Sequence, residues 1–145
     1  MTTAQHLATI DILRTREFPS VRGRSDVGSS GPGYHLAELS TSEEFWEDDG
    51  TRRAQVEDQY AAECAALAQA LSVRWGEPQV FSLWSLLIRG MEGEGIPEPW
   101  NQLSGSVVDL HLWRIEERWL ALGVAQWAGE LPFQLVAAVT EIDPP

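Results

Sequence analysis

Ser106-Val-Val-Asp-Leu-His-Leu-Trp-Arg-Ile115, then Glu116-Glu117, then Arg118-Trp-Leu-Ala-Leu-Gly-Val-Ala-Gln-Trp127, then Ala128-Gly129-Glu130, then an apolar run from Leu131 to Ile142: this stretch decides the fold. Three strand-length segments, separated by two or three polar or small residues, spell an antiparallel meander. The expected strands cover about 106–115, 118–127 and 131–142. A two-residue turn at Glu116-Glu117 sets Arg114 opposite Trp119, Leu112 opposite Ala121, Leu110 opposite Gly123 and Val108 opposite Ala125. A three-residue connection centred on Gly129 sets Ala125 opposite Phe133, Gly123 opposite Leu135, Ala121 opposite Ala137 and Trp119 opposite Val139.

Side chains alternate across a strand. One face then carries Val108, Leu110, Leu112, Phe133, Leu135 and Val139 around a strip of Ala121, Gly123 and Ala125, and this strip admits a helix at close range. The other face reads Val107, Asp109, His111, Trp113, Leu120, Leu122, Val124, Gln126, Gln134 and Val136. It is apolar at one end and polar at the other, so a second cover is expected there. A one-residue slip in either turn would exchange the faces.

The helix that would lie across the sheet runs over about 52–75. Val56, Tyr60, Cys64, Leu67, Leu71 and Trp75 recur at spacings of three and four, with Ala61, Ala65, Ala66, Ala68 and Ala70 between them. Thr51 is the expected N-cap and Gly76 the C-cap, with Pro78 beyond. Cys64 lies on the apolar stripe and reads as a small buried hydrophobe, not a nucleophile.

The remainder is less regular. His6 to Arg14 reads as a strand, because Ala8, Ile10 and Ile12 alternate with Thr9, Asp11 and Leu13; its partner would be the meander edge or a short strand near Tyr34–Leu39. Residues 15–33, rich in Gly, Ser and Pro, read as a mobile loop that also holds Arg16, Arg22 and Arg24 next to Arg14. These arginines would dock on the chain's own carboxylates, on a partner or on a phosphate. Ser40 to Gly50 reads as an acidic turn with Phe45 and Trp46 in the core. Val80–Ile88, apolar nearly throughout, reads as a central strand, with a short helix as the alternative. Residues 90–105 form a second mobile loop, acidic through Glu92, Glu94 and Glu98, with Trp100 as its aromatic tip or anchor. The whole, 1–145, reads as one α+β domain.

Composition sets further bounds. The chain has 145 residues, seven Trp and a formal net charge of −12. That charge argues against general nucleic-acid or anionic-membrane binding and permits a basic partner. Its ten basic residues are all Arg, the mark of a GC-rich bacterial genome. One Cys excludes an internal disulfide, and neither a secretory signal nor a spanning segment is apparent, so the expected compartment is the cytoplasm.

Two groups of candidate residues emerge. Asp109-x-His111 shares a strand face with Trp113, Gln126 and Gln134; a carboxylate can orient an imidazole there, and Trp113 would wall a ligand site. No metal, cofactor or catalytic spacing is present, so no cofactor, no metal and no catalytic residue are expected. Glu92, Glu94, Glu98 and Trp100 in one loop, with Trp46, Asp48 and Asp49 in the other, would present one acidic, aromatic face to a basic protein. The expected function is a non-enzymatic interaction module of the immunity-inhibitor or adaptor type. The first alternative is a small-molecule binder or small enzyme using the polar half of the sheet. The second is a self-assembling subunit, a homo-oligomer built on the half-apolar face.

Overall fold

The computed structural model describes residues 3–47, 49–126 and 131–145. Its elements are helix α1 (Thr3–Thr15), strands β1 (Gly23–Arg24), β2 (Gly28–Gly31) and β3 (Tyr34–Thr41), helix α2 (Thr51–Trp75), strand β4 (Gln79–Ser82), helices α3 (Trp84–Met91) and α4 (Trp100–Ser104), and strands β5 (Asp109–Ile115), β6 (Arg118–Gln126) and β7 (Phe133–Thr140). The strands form one antiparallel sheet in the order β1-β2-β3-β7-β6-β5-β4. The fold is α+β, with the long helix α2 packed on β5–β7.

The β5–β6 hairpin has the register the sequence predicts: Leu112 pairs with Ala121 and Arg114 with Trp119. Two other registers differ. Val107, not Val108, pairs with Ala125. One extra residue therefore bulges out ahead of β5, and Val108 is expelled to solvent. Between β6 and β7, Ala125 pairs with Gln134 and Ala121 with Ala138, one residue away from the expected pairing. The turn on which that expectation rested, 127–130, lies outside the described residues.

This slip exchanges the faces of β7. Phe133, Leu135, Ala137 and Val139 join Trp113, Ile115, Leu120 and Leu122, and α2 lies on that face, not on the alanine-glycine strip. The gain is volume matching. The large residues of three strands meet the stripe Val56, Tyr60, Cys64, Leu67 and Leu71, and the wholly buried Leu67 and Leu71 each contribute roughly 1.5–3 kcal/mol. The small residues Ala121, Ala125 and Ala138 collect on the second face, under Leu83, Leu86, Trp100 and Leu103. Gly123 faces Val107: a Cβ there would come within 2.7 Å of the Val107 side chain.

Helix α2 is preceded by Gly50 at φ 100°, and Thr51 is its first residue, not its cap. The Asp49 carboxylate accepts the Thr51 N–H at 3.0 Å. At the other end Gly76, at φ 84°, donates its N–H to the Ser72 carbonyl.

The N-terminal segment is a helix, not a strand. His6, Ile10 and Leu13 are buried, which is the spacing of one helical face, while Ile12 is exposed. Helix α1 docks beside α2 through Arg74 on Asp11 (2.8 Å), with the Arg14 and Arg74 guanidinium groups both over the Trp75 ring. Within 15–33, β1 and β2 add a hairpin to β3, so the glycine-rich stretch is part of the sheet. The apolar run at 80–88 divides into β4, at the sheet edge and not its centre, and α3; the Ser82 hydroxyl accepts the Trp84 N–H at 3.1 Å. Residues 90–105 end in the short helix α4. The acidic stretch 42–47 forms a turn; Phe45 packs edge-on against Phe133, but Trp46 is 64% exposed.

Candidate functional site

Strand β5 places Asp109, His111 and Trp113 on the α2 side of the sheet, and Gln126 of β6 joins them. Gln134 does not: the β7 slip puts it on the second face. Trp113 is buried and its indole N–H donates to the Gly76 carbonyl at 2.9 Å, closing the end of α2. Gln126 accepts from Arg53 at 2.7 Å. His111 is half-buried and lies parallel to Trp113, ring centroids 6.4 Å apart; its Nδ1 is buried without a hydrogen-bond partner among the described residues. Asp109 is exposed and does not engage that nitrogen. The packing explains Trp113 and Gln126, and it leaves Asp109 and His111 side by side without an orienting bond.

The acidic candidates are distributed, not gathered. Trp100 is wholly buried, its indole N–H donating to the Ile142 carbonyl at 3.0 Å: an anchor, not a tip. Glu98 accepts from the Gln102 N–H and the Asn101 amide, fixing the first turn of α4. Glu94 pairs with Arg89, and Glu92 is exposed. In the other loop, Trp46 donates to Glu44 at 2.8 Å and Asp49 is engaged at the start of α2, where the bond from the Thr51 N–H holds its carboxyl below the usual range. Asp48 lies outside the described residues.

The Trp46 loop joins β7 at Phe133, through the Ser42 N–H on the Phe133 carbonyl, whereas Trp100 bonds Ile142, just past the end of β7. Eight strand residues, about 25 Å, separate the two loops. The anchors of the two loops thus lie at opposite ends of β7.

Of the destinations open to the basic segment, its arginines occupy the chain's own carboxylates. Arg16 grips Asp26 with both terminal nitrogens (2.6 and 3.3 Å), and Arg24 grips Glu38 likewise (3.1 and 3.5 Å). Arg22 stands 3.8 Å from Glu98.

One surface has no counterpart among the candidates. Trp84, Ile88 and Met91 follow one another at i, i+4 and i+7 on α3. Trp84 is 65% and Met91 75% exposed, and Ile88 is half-buried. Leu83 and Leu86 pack inward beneath them. The Leu83 N–H donates to the Val108 carbonyl, which brings the bulged Val108, 73% exposed, beside the start of α3. Between them opens a cleft of about 210 Å³ lined by Leu83, Trp84, Leu87, Val107 and Val108 together with the segment 104–106 and Gln126. The signal available in the sequence is the spacing of Trp84, Ile88 and Met91 at i, i+4 and i+7.

Burial pushes the Cys64 thiol up to about 11, and no three His, Cys, Asp or Glu side chains gather as a metal ion would require among the described residues. No described helix is long and apolar enough to cross a membrane. Comparison with known protein families, with characterised proteins and with solved structures gives no match.

Proposed function

We propose that this chain is a non-enzymatic protein–protein interaction module whose contact surface is the outward side of α3 with the adjoining Val108 cleft. The observation that carries the reading is the joint exposure of Trp84 and Val108 around one cleft, with Ile88 and the exposed Met91 continuing the apolar stripe along α3. A contiguous apolar patch with an accessible Trp is the usual centre of a protein contact, and its water-excluded core supplies most of the affinity. Acids stand at its margins: Glu92 directly after Met91 and Asp109 directly after Val108, both exposed. On a chain of net charge −12 this arrangement favours a partner with basic groups around an apolar knob, and charge would speed the encounter. An inhibitor of the immunity type, or an adaptor, would use such a surface.

The test is a triple variant, Trp84→Ser, Met91→Ser and Val108→Ser, compared with the unaltered chain by affinity capture from the native host and by sedimentation. The unaltered chain should retain a basic protein, less of it as salt rises, and the variant should not, with unchanged circular dichroism. A concentration-dependent dimer abolished by the same variant would reassign the surface to self-assembly. A monomer that captures nothing, or captures equally as the variant, refutes the reading.

A further inference from the structure

The second face of the sheet is covered by α3 and α4 over one part only. Between α4 and the β1–β2 hairpin lies a cavity of about 430 Å³, within the range that holds a small organic ligand. Its floor is apolar and comes from three adjacent strands: Leu36 of β3, Val136 of β7 and Ala125 of β6. The β7 slip is what turns Gln134 into this space, where it stands across from Gln102 of α4. Two side-chain amides thus offer donors and acceptors above a hydrocarbon floor.

The charges are unevenly engaged. Arg24 and Glu38 both line the cavity and neutralise each other through two bonds. Arg22 remains, at the rim and 60% exposed. Its ion-pair partner among the described residues, Glu98, is 3.8 Å away, beyond hydrogen-bond reach, and already accepts from Asn101 and Gln102. The Tyr34 hydroxyl also lies beside it. A guanidinium has five N–H donors in a planar fork that matches a carboxylate. Glu98 offsets the one positive charge left over in the lining, so a ligand carboxylate would engage Arg22 in competition with it.

We infer that this cavity binds a small organic carboxylate, its anionic end on Arg22 and its apolar body on the Leu36–Ala125–Val136 floor. The site is separate from the α3 surface and does not rest on it.

The intact chain is titrated with octanoate, cinnamate and naphthoate, followed by calorimetry and by amide chemical shifts. At least one should bind saturably at one site, shifting β3 and β7 amides. The matching carboxamide should bind at least about tenfold more weakly, and Arg22→Gln should weaken the acid by a similar factor, as expected for one charge-assisted bond. Gln134→Trp, which fills the space, should abolish binding. Trp84→Ser should leave it unchanged, so failure here and failure of the α3 reading are told apart. The inference is overturned if none of the three acids saturates at millimolar concentration. It is equally overturned if the amide binds as well as the acid, or if Arg22→Gln or Gln134→Trp, each folded by circular dichroism, binds as the unaltered chain does.

Discussion

A methyl group added at Gly28 would sit 2.2 Å from the Leu36 carbonyl oxygen, a backbone atom that cannot swing aside. Added at Gly23, on the neighbouring strand of the same hairpin, it would meet nothing within 4 Å. The two glycines are alike in sequence and both read as loop breakers; contact alone separates them. Gly28→Ala should therefore cost about 3 kcal/mol, an overpacking penalty in which the β2–β3 pairing must shift. Gly23→Ala should change stability by about 0.5 kcal/mol or less. Denaturant midpoints of the two variants check this directly, and equal midpoints would mean that β2 does not approach β3 as closely as described. Cys64 follows the same logic of contact over composition. Its place on the α2 stripe was legible from spacing, and burial, by disfavouring the thiolate, makes it inert as well.

At the scale of elements, the docking of α1 is a chain of polar contacts laid over an apolar pair. Arg118 of β6 donates to the Leu13 and Arg16 carbonyls (3.1 and 2.9 Å) at the end of α1 and lies over the Phe18 ring. His35 of β3 reaches the Glu17 carbonyl at 3.1 Å. His6 is buried between α1 and its neighbours. Burial holds both imidazoles below their ordinary value of 6.5; Glu63 opposes this at His6, and the two carbonyl bonds oppose it at His35, where Arg16 and Arg118 add to the lowering. The unfolded chain therefore takes up protons at these sites before the folded chain does. Their contribution to stability is fully present above pH 6.5 and declines as pH falls through 6.5 towards the folded values. Urea midpoints measured from about pH 7.5 down to about pH 5 should fall more steeply for the unaltered chain than for a His6→Gln, His35→Gln variant. That difference removes the opposing gain from neutralising carboxylates, and parallel curves would contradict it.

The same helix shows where sequence reading succeeds and fails. The twenty-five residues of α2 repeat their apolar spacing often enough to exclude a strand. In α1 the alternating set Ala8, Ile10, Ile12 and the helical set His6, Ile10, Leu13 share Ile10, and only the burial of Leu13 against the exposure of Ile12 separates them. A histidine on a buried face carries no apolar signal, so the helical pattern was missing its first term. The candidate sites suffered differently. Asp109, His111, Trp113 and Gln126 share a face because a two-residue turn fixes their hairpin. Gln134 lies across a longer connection, whose length in residues does not determine the register. The α3 stripe is hidden in an apolar run that reads as one element over 80–88, and the Arg22 cavity joins segments about a hundred residues apart.

For the molecule as a whole, the last strand in the chain is the middle strand of the sheet. β7 lies between β3 and β6, giving Phe133, Leu135, Ala137 and Val139 to the core under α2 and Val136 and Ala138 to the core under α4. β3, β5 and β6 also serve both clusters, but β7 stands at the centre, and its pairing with β3 joins Tyr34 to Thr140, about a hundred residues apart. The loop closure this demands cannot be offset by local contacts, so folding should be slow for the chain's size and should await β7. A chain ending at Pro132 should remain unfolded by circular dichroism, with both cores left open on one side. In the intact chain, native-state amide exchange should rank β7 with the slowest strands, opening only with global unfolding, while the edge strands β1 and β4 exchange through local fraying. If β7 amides instead exchanged as early as those of the edges while the β5–β6 hairpin stayed protected, the sheet would be organised around that hairpin. The one-residue slip that sets α2, Gln134 and the Arg22 cavity in place would then be a late adjustment and not the event on which the fold closes.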